Sequence, residues 1–281
     1  MSASSPLSLV CAHSPDSDDA YMFYGLATRK VRSPLVTFQH VLADIETLNL
    51  RAREGAYAMT AISYHAWPYV ADRYVLMACG SSVGDGYGPL LVATSPISPA
   101  DLRGKRIAVP GTLTTAYLVL RLMEPDFEPI VVPFDKVLEA VRQRAADAAL
   151  VIHEGQLTYS RGGFHRIVDL GAWWKQRYQL PLPLGATALL RSLPYEVQAE
   201  CCRLLRDSVR YAFEHHEEAL TYAMQFARDM DLALAEKFVG MYVNDYTLEA
   251  GETVAQAAQK LLDLGWEAGL IPQRVRVEFV R

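Results

Sequence analysis

Val151-Ile-His-Glu-Gly-Gln-Leu-Thr-Tyr159 is the stretch around which the rest of the chain is organised. The apolar run from Ala148 to Ile152 predicts a buried strand, and Gly155 marks a turn soon after its end. Ligands of an open parallel sheet bind at the carboxyl ends of its strands, and His153 stands at such an end. An imidazole can take or give a proton near neutral pH, so His153 is a candidate catalytic residue. A structural role, in which His153 only hydrogen-bonds a neighbouring loop, is the alternative.

Predicted strands alternate with predicted helices before this stretch, which is typical of an α/β protein with parallel sheets. The predicted strands are Leu7 to Ala12, Val36 to Leu42, Ala58 to Ile62, Lys105 to Val109, Ile130 to Phe134 and Ala148 to Ile152. The pattern predicts two lobes, each a mainly parallel sheet flanked by helices. Residues 1–92 begin lobe 1, residues 93–185 form lobe 2, and residues 186–281 return to lobe 1. This return is predicted to be helical, with helices near 195–229, 231–243 and 252–269.

Composition narrows the class of protein. The chain has 281 residues, of which 51% are hydrophobic and 21% charged, so it can form a large core and is not disordered. Its net charge of −5 comes without any basic cluster, which argues against a nucleic-acid partner. No apolar run reaches the roughly 18 residues of a membrane-spanning helix, so no membrane partner is expected.

The termini and cysteines bear on localisation. The first ten residues lack the charged and apolar regions of a secretory signal. The four cysteines show neither metal-ligand spacing nor a disulfide pattern. We therefore expect a cytoplasmic protein without a bound metal. The apolar C-terminal helices are compatible with a homodimer.

Hydroxyl-bearing residues follow several predicted strands and are candidates for one ligand site. Ser14 follows the first strand, Ser63 the third, and Thr114 and Thr115 open the helix after Val109. A helix N-terminus has unpaired N–H groups and a partial positive charge, so these threonines can complete a pocket for a carboxylate. A helix cap is the plain alternative for either threonine. With no nucleotide or phosphate-loop motif present, the pattern favours a small organic anion as substrate.

Five segments resemble one enzyme family, the 1,4-dihydroxy-6-naphthoate synthases of the futalosine route to menaquinone. These segments are Val109 to Tyr117, Val151 to Tyr159, Asp169 to Trp174, Leu180 to Gly185 and Phe238 to Asn244. The resemblance covers nearly the whole chain and implies the fold of type 2 periplasmic binding proteins. It also implies a lyase that splits cyclic dehypoxanthinyl futalosine.

The resemblance assigns roles to particular residues. His153 is implied to be the proton acceptor. Contacts with the substrate are implied for Ala61, Ile62, Ser63, Thr115 and Ala116. Because aromatisation of the product supplies driving force, no cofactor is expected. Two alternatives are kept: the related chorismate dehydratase of the same pathway, and a solute-binding protein for a small organic anion.

Two positions depart from the family pattern. The first loop is Ser14-Pro-Asp-Ser-Asp-Asp19, where the family commonly has Ser-Pro-Cys-Pro-Asn-Asp. Ala61 stands where the family tends to carry a lysine. Both changes make the cleft more negative, which disfavours a strongly anionic substrate.

Overall fold

Two β-sheets form the framework of the protein. A computed structural model describes residues 5–227 and 230–281. The strands are β1 Leu7–His13, β2 Val36–Leu42, β3 Met59–Ser63, β4 Tyr74–Met77, β5 Ser82–Gly84, β6 Leu90–Ala93, β7 Arg106–Val109, β8 Glu128–Val131, β9 Ala148–Val151, β10 His165–Asp169, β11 Leu182–Leu190 and β12 Phe279–Val280. The first sheet has the order β12-β4-β11-β3-β1-β2, with β5 also paired to β11, and the second has the order β10-β6-β9-β7-β8.

Each sheet contains one strand that runs against all the others. In the first sheet β11 is antiparallel to its three neighbours, β3, β4 and β5. In the second sheet β6 is antiparallel to both β9 and β10. The remaining strands therefore share one direction within each sheet, which confirms the predicted α/β fold with mainly parallel sheets. Their carboxyl ends meet at one edge of each sheet.

Strand pairing shows to which sheet each segment at the predicted lobe boundaries belongs. Leu90–Ala93 pairs only within the second sheet, although the prediction placed most of it in lobe 1. Leu182–Leu190 pairs within the first sheet, although the prediction ended lobe 2 at residue 185. The three-part division into lobes itself stays a prediction.

Twelve helices accompany the strands in the described part of the chain. They are α1 Ser17–Met22, α2 Tyr24–Ala27, α3 Ile45–Arg53, α4 Thr115–Met123, α5 Val137–Arg142, α6 Gly155–Thr158, α7 Leu170–Tyr178, α8 Tyr195–Glu214, α9 His216–Ala223, α10 Leu232–Tyr242, α11 Asp245–Leu248 and α12 Gly251–Glu267. No helix among the described residues is both long and apolar enough to span a membrane.

The C-terminal region is helical as predicted, but the first predicted helix is interrupted. Instead of one helix over 195–229, α8 ends at Glu214 and α9 begins at His216, while residues 228 and 229 lie outside the described residues. The backbone of His215 leaves the helical region at φ −121°, and its ring stacks on Tyr211 at 3.9 Å. No glycine or proline marks this break, so the sequence pattern does not reveal it.

The two connections between the sheets pack directly against each other. One connection passes through Tyr87 and Gly88, and the other begins at α7 with Gly171. A Cβ atom on Gly171 would overlap the carbonyl of Tyr87 and the amide of Gly88. Asp169 accepts hydrogen bonds from the N–H groups of Gly171 and Ala172, which fixes the start of α7 against this contact. The spacing of the two sheets therefore depends on a glycine at position 171.

We expect Gly171→Ala to destabilise the protein by about 3 kcal/mol, because backbone rather than a flexible side chain must move to admit the methyl group. Gly240→Ala is the matched control, since nothing lies within 4 Å of a Cβ on this exposed residue of α10. Alanine is favoured over glycine inside a helix, so the control should be neutral or slightly stabilising. Urea unfolding of both variants measures the difference. Equal stability of Gly171→Ala and the wild type would contradict the packing described.

Candidate active site

A cavity lies between the two sheets at their carboxyl edges. Every residue predicted to bind substrate contributes to its lining: Ser14, Ala61, Ile62, Ser63, Thr114, Thr115 and Ala116. Residues that the sequence pattern did not single out as ligand contacts complete it, among them Asp16, Asp18, Asp19, Gln156, Phe238 and Tyr242. None of the described lining residues is lysine or arginine. Any anion bound here is held by N–H and O–H donors rather than by a cationic side chain.

His153 lies beside the cavity rather than in its lining. Its neighbours Ile152 and Gln156 both line the cavity, and its own side chain is 14% exposed. The Gly155 N–H donates to Nδ1 at 3.0 Å, and Phe134 contacts the ring edge-on at 5.6 Å between ring centroids. Nδ1 is also 3.8 Å from Oε2 of the buried Glu154. The imidazole is therefore held at the border of the cavity by its own turn.

Ser63 is oriented by a residue that the sequence pattern did not single out. Asn49, which is fully buried on α3, accepts from the Ser63 N–H at 2.8 Å and donates to the Ser63 Oγ at 3.0 Å. With its oxygen lone pair engaged, the hydroxyl of Ser63 is left to donate towards the cavity. Asn49 also donates to the Leu113 carbonyl at 3.4 Å, so it links the two sheets beside the site.

The threonine hydroxyls at the start of α4 are engaged within the protein. Thr114 is the N-cap: its Oγ1 accepts from the Tyr117 N–H at 3.2 Å and donates to the Gly111 carbonyl. Thr115 Oγ1 donates to the Leu184 carbonyl at 2.6 Å and accepts from the His65 N–H. The capping alternative is thus correct for Thr114. The groups left to meet a ligand are the backbone N–H groups of Thr115 and Ala116, which have no acceptor within the helix.

The carboxylate of Glu46, on helix α3, is hydrogen-bonded to the loop before α4. Glu46 accepts from the N–H groups of Thr112 at 3.0 Å and Leu113 at 3.1 Å. Burial raises the pKa of Glu46, while these backbone hydrogen bonds act in the opposite direction. A Cβ on Gly111 would overlap the Glu46 carboxylate, so this glycine is required for the contact.

The opposite wall of the cavity is acidic. Burial raises the pKa of Asp18 well above its usual range, and Asp19, Asp16 and Glu154 raise it further by charge repulsion. Burial likewise raises the pKa of Asp19 to about 6, although the Ser14 N–H donates to it at 2.6 Å and favours its ionised form. Asp18 is therefore hard to ionise in the folded protein.

An interaction between side chains closes the remaining side of the cavity. Tyr242 on α10 donates from its hydroxyl to Oε1 of Gln156 on α6, at 2.7 Å. Gln156 and Tyr242 are 5% and 4% exposed, so this hydrogen bond is shielded from bulk solvent. The sequence carries no periodic signal for it, since the two residues are separated by 86 positions.

Solved structures share this architecture. An alkanesulfonate-binding protein from Xanthomonas axonopodis pv. citri matches with a TM-score of 0.73 at 17% identity, covering 98% of each chain. A crystal structure of a protein from Archaeoglobus fulgidus matches with a TM-score of 0.91 at 47% identity, covering 94% of this chain and 98% of the other. The chain therefore has a fold of the periplasmic-binding-protein type, as the resemblance implied.

Sequence comparisons identify the family within this class. Residues 9–267 match the family model described as menaquinone biosynthesis. A 1,4-dihydroxy-6-naphthoate synthase from Thermus thermophilus is 41% identical, covering 95% of this chain and 97% of that protein. The synthase from Streptomyces coelicolor is 38% identical, covering 94% and 95%. The chain belongs to this menaquinone biosynthesis family, which confirms the resemblance seen in the sequence.

The acidic wall leads to a prediction about stability. The pKa of Asp18 is higher in the folded state than its ordinary value of 3.8, so ionisation favours the unfolded state. Stability that is present below pH 3.8 is lost as the pH rises through the raised pKa. Asp18→Asn cannot ionise, so we expect it to raise the melting temperature by at least about 2 °C at pH 8 and by less at pH 5.

Asp101→Asn is the control for this measurement, because Asp101 is exposed and outside the cavity. Differential scanning calorimetry of both variants over pH 5–8 gives the comparison. If the gain in melting temperature from Asp18→Asn did not grow with pH, ionisation of Asp18 would not be destabilising the folded state.

Proposed function

We propose that the chain is a carbon–carbon lyase that converts cyclic dehypoxanthinyl futalosine to 1,4-dihydroxy-6-naphthoate without a cofactor. The observation that carries the proposal is that two relatives named as this synthase match the chain over nearly its whole length. The cavity supports it, since all seven residues assigned to substrate contact line one space. The proposal includes a cytoplasmic location and a small anionic substrate, and a homodimer is compatible with the chain.

His153 is the proposed proton acceptor. Removal of a substrate proton starts cleavage of a carbon–carbon bond, and aromatisation of the ring system drives the reaction forward. In the neutral ring the Gly155 N–H donates to Nδ1, so the basic lone pair is at Nδ1. This hydrogen bond must open when the ring takes the proton. The Glu154 carboxylate, 3.8 Å from Nδ1, would then stabilise the imidazolium.

The distribution of charge suggests how the substrate lies. A carboxylate is favoured at the Thr115 and Ala116 N–H groups, where the partial positive charge of α4 is directed into the cavity. The part of the substrate without charge would face Asp16, Asp18 and Asp19, because two ionised groups are not brought together there. This orientation also answers the first departure from the family pattern, since the added carboxylates of the first loop lie on the wall that the anion avoids.

Two other functions are less well supported. Chorismate dehydratase shares the pathway and the fold, but both relatives carry the synthase name. A solute-binding role rests on structural matches such as the alkanesulfonate-binding protein, whose 17% identity speaks only for the fold.

The test is to incubate the purified protein with cyclic dehypoxanthinyl futalosine and measure the naphthoate product. We expect turnover by the wild type and a loss of at least about 100-fold in kcat for His153→Ala, because general-base contributions run from about 10² to 10⁴. His165→Ala is the matched control: this imidazole is exposed at the start of β10 and outside the cavity, so its removal should leave kcat unchanged.

The possible outcomes separate the functions. Product formation that survives in His153→Ala would remove His153 from the mechanism but not the activity. Calorimetric binding of an organic anion without any product would instead support the solute-binding role.

A further inference from the structure

Gln156 presents one end of its amide to the cavity. Its Oε1 accepts from the Tyr242 hydroxyl, and among the described residues its Nε2 donates to no other group. Nε2 is also not sealed inside the protein, because Gln156 is among the cavity-lining residues. A buried N–H donor without a partner is costly unless a ligand or water accepts from it. The open donor of Gln156 is therefore directed at whatever occupies the cavity.

The direction of the Tyr242 hydrogen bond fixes which end of the amide is open. The Tyr242 hydroxyl donates to Oε1 of Gln156, and burial raises the pKa of this phenol, so at neutral pH it keeps the proton that it donates. Because Oε1 is engaged by Tyr242, Nε2 is the end of the amide that is left for a ligand. The Tyr242 ring is itself held by edge-on contacts with Phe238 and Tyr87, at 5.3 and 6.0 Å between ring centroids.

Gln156 shares a turn with the proposed base. Its backbone N–H donates to the His153 carbonyl at 2.9 Å, and Gly155 between them donates to the His153 ring. The open amide nitrogen and the imidazole thus extend from one short turn at the carboxyl end of β9. A ligand oxygen bound by Nε2 is therefore held by the same short turn that carries the proposed base.

We propose that Gln156 binds an acceptor oxygen of the substrate, a carbonyl or hydroxyl oxygen next to the proton that His153 removes, and that Tyr242 is the positioning residue that keeps the amide nitrogen turned towards it. This inference rests on the proposed function and adds to it the group of the substrate that Gln156 recognises, an acceptor oxygen. It also gives the C-terminal helix α10 a part in the reaction: Tyr242 acts through Gln156.

Single substitutions test the donor. We expect Gln156→Ala to lower kcat/KM by about 10- to 100-fold, because a hydrogen bond to an oxygen that gains negative charge is lost. Gln156→Met keeps the length of the side chain but offers no donor to the substrate and no acceptor to Tyr242. It should therefore be at least as impaired as Gln156→Ala.

A double-mutant cycle tests the positioning role. Tyr242→Phe removes the hydroxyl that fixes the amide and should lower kcat/KM by about three- to tenfold, and this loss should vanish when Gln156 is already alanine. Tyr87→Phe is the matched control. Its hydroxyl donates to the Met241 carbonyl in the same aromatic cluster but does not touch Gln156, so its effect should be small and independent of Gln156.

Measuring the wild type in the same assay distinguishes failure of this inference from failure of the proposed function. Turnover by the wild type with unchanged kcat/KM in Gln156→Ala would overturn this inference and leave the proposed function standing. Equal losses from Tyr242→Phe with glutamine or alanine at position 156 would show a merely structural role for Tyr242. Absence of wild-type turnover would overturn the proposed function and this inference together.

Discussion

The hydrogen bonds between Glu46 and the loop before α4 set the geometry on which the site depends. Glu46 belongs to a helix packed on the first sheet, whereas Thr112 and Leu113 follow a strand of the second. Glu46 is partly buried, so its carboxylate needs hydrogen-bond donors, and the loop backbone supplies them. The contact holds the loop against α3, the helix that also carries Asn49, the partner of Ser63. It engages the amides of Thr112 and Leu113, and the first-turn N–H groups of α4 remain for a substrate.

Charge in the cavity is separated rather than balanced. The N-terminus of α4 supplies partial positive charge on one wall, and Asp16, Asp18 and Asp19 supply carboxyl groups on another. Burial makes Asp18 and Asp19 harder to ionise, and repulsion from neighbouring carboxylates adds to this for Asp18, so part of this wall can present a neutral O–H donor near neutral pH. An acidic sequence in the first loop is therefore compatible with an anionic substrate, because sequence charge overstates the charge that the folded site carries.

Much of the architecture could be predicted from the sequence because hydrophobic periodicity is a local signal. Buried runs such as Ala148–Val151 predict a strand on their own, and strand direction then places Ser63, Thr115 and His153 at the carboxyl edges. The partners of these residues could not be predicted in the same way. Asn49 and Tyr242 act through contacts formed only after folding, and neither stands in a pattern that distinguishes a site residue from a core residue. The break at His215 was missed for a related reason: no helix-breaking residue stands there, and the contact of its ring with Tyr211 forms only in the folded chain.

The C-terminal helices complete a site whose other parts come from both sheets. Phe238 and Tyr242 of α10 line the cavity beside residues that lie at the carboxyl end of β3 or follow β1, β7 and β9. A solute-binding protein needs only two walls that close on a ligand, because it binds the ligand without changing it. A lyase must in addition hold the reacting atoms in one orientation, and that requires groups whose rotation is restricted. The hydrogen bond from Tyr242 to Gln156 imposes such a restriction on an amide adjacent to the proposed base. In this protein the helical tail therefore restricts a cavity-lining amide and also contributes to the wall of a cavity that the two sheets form.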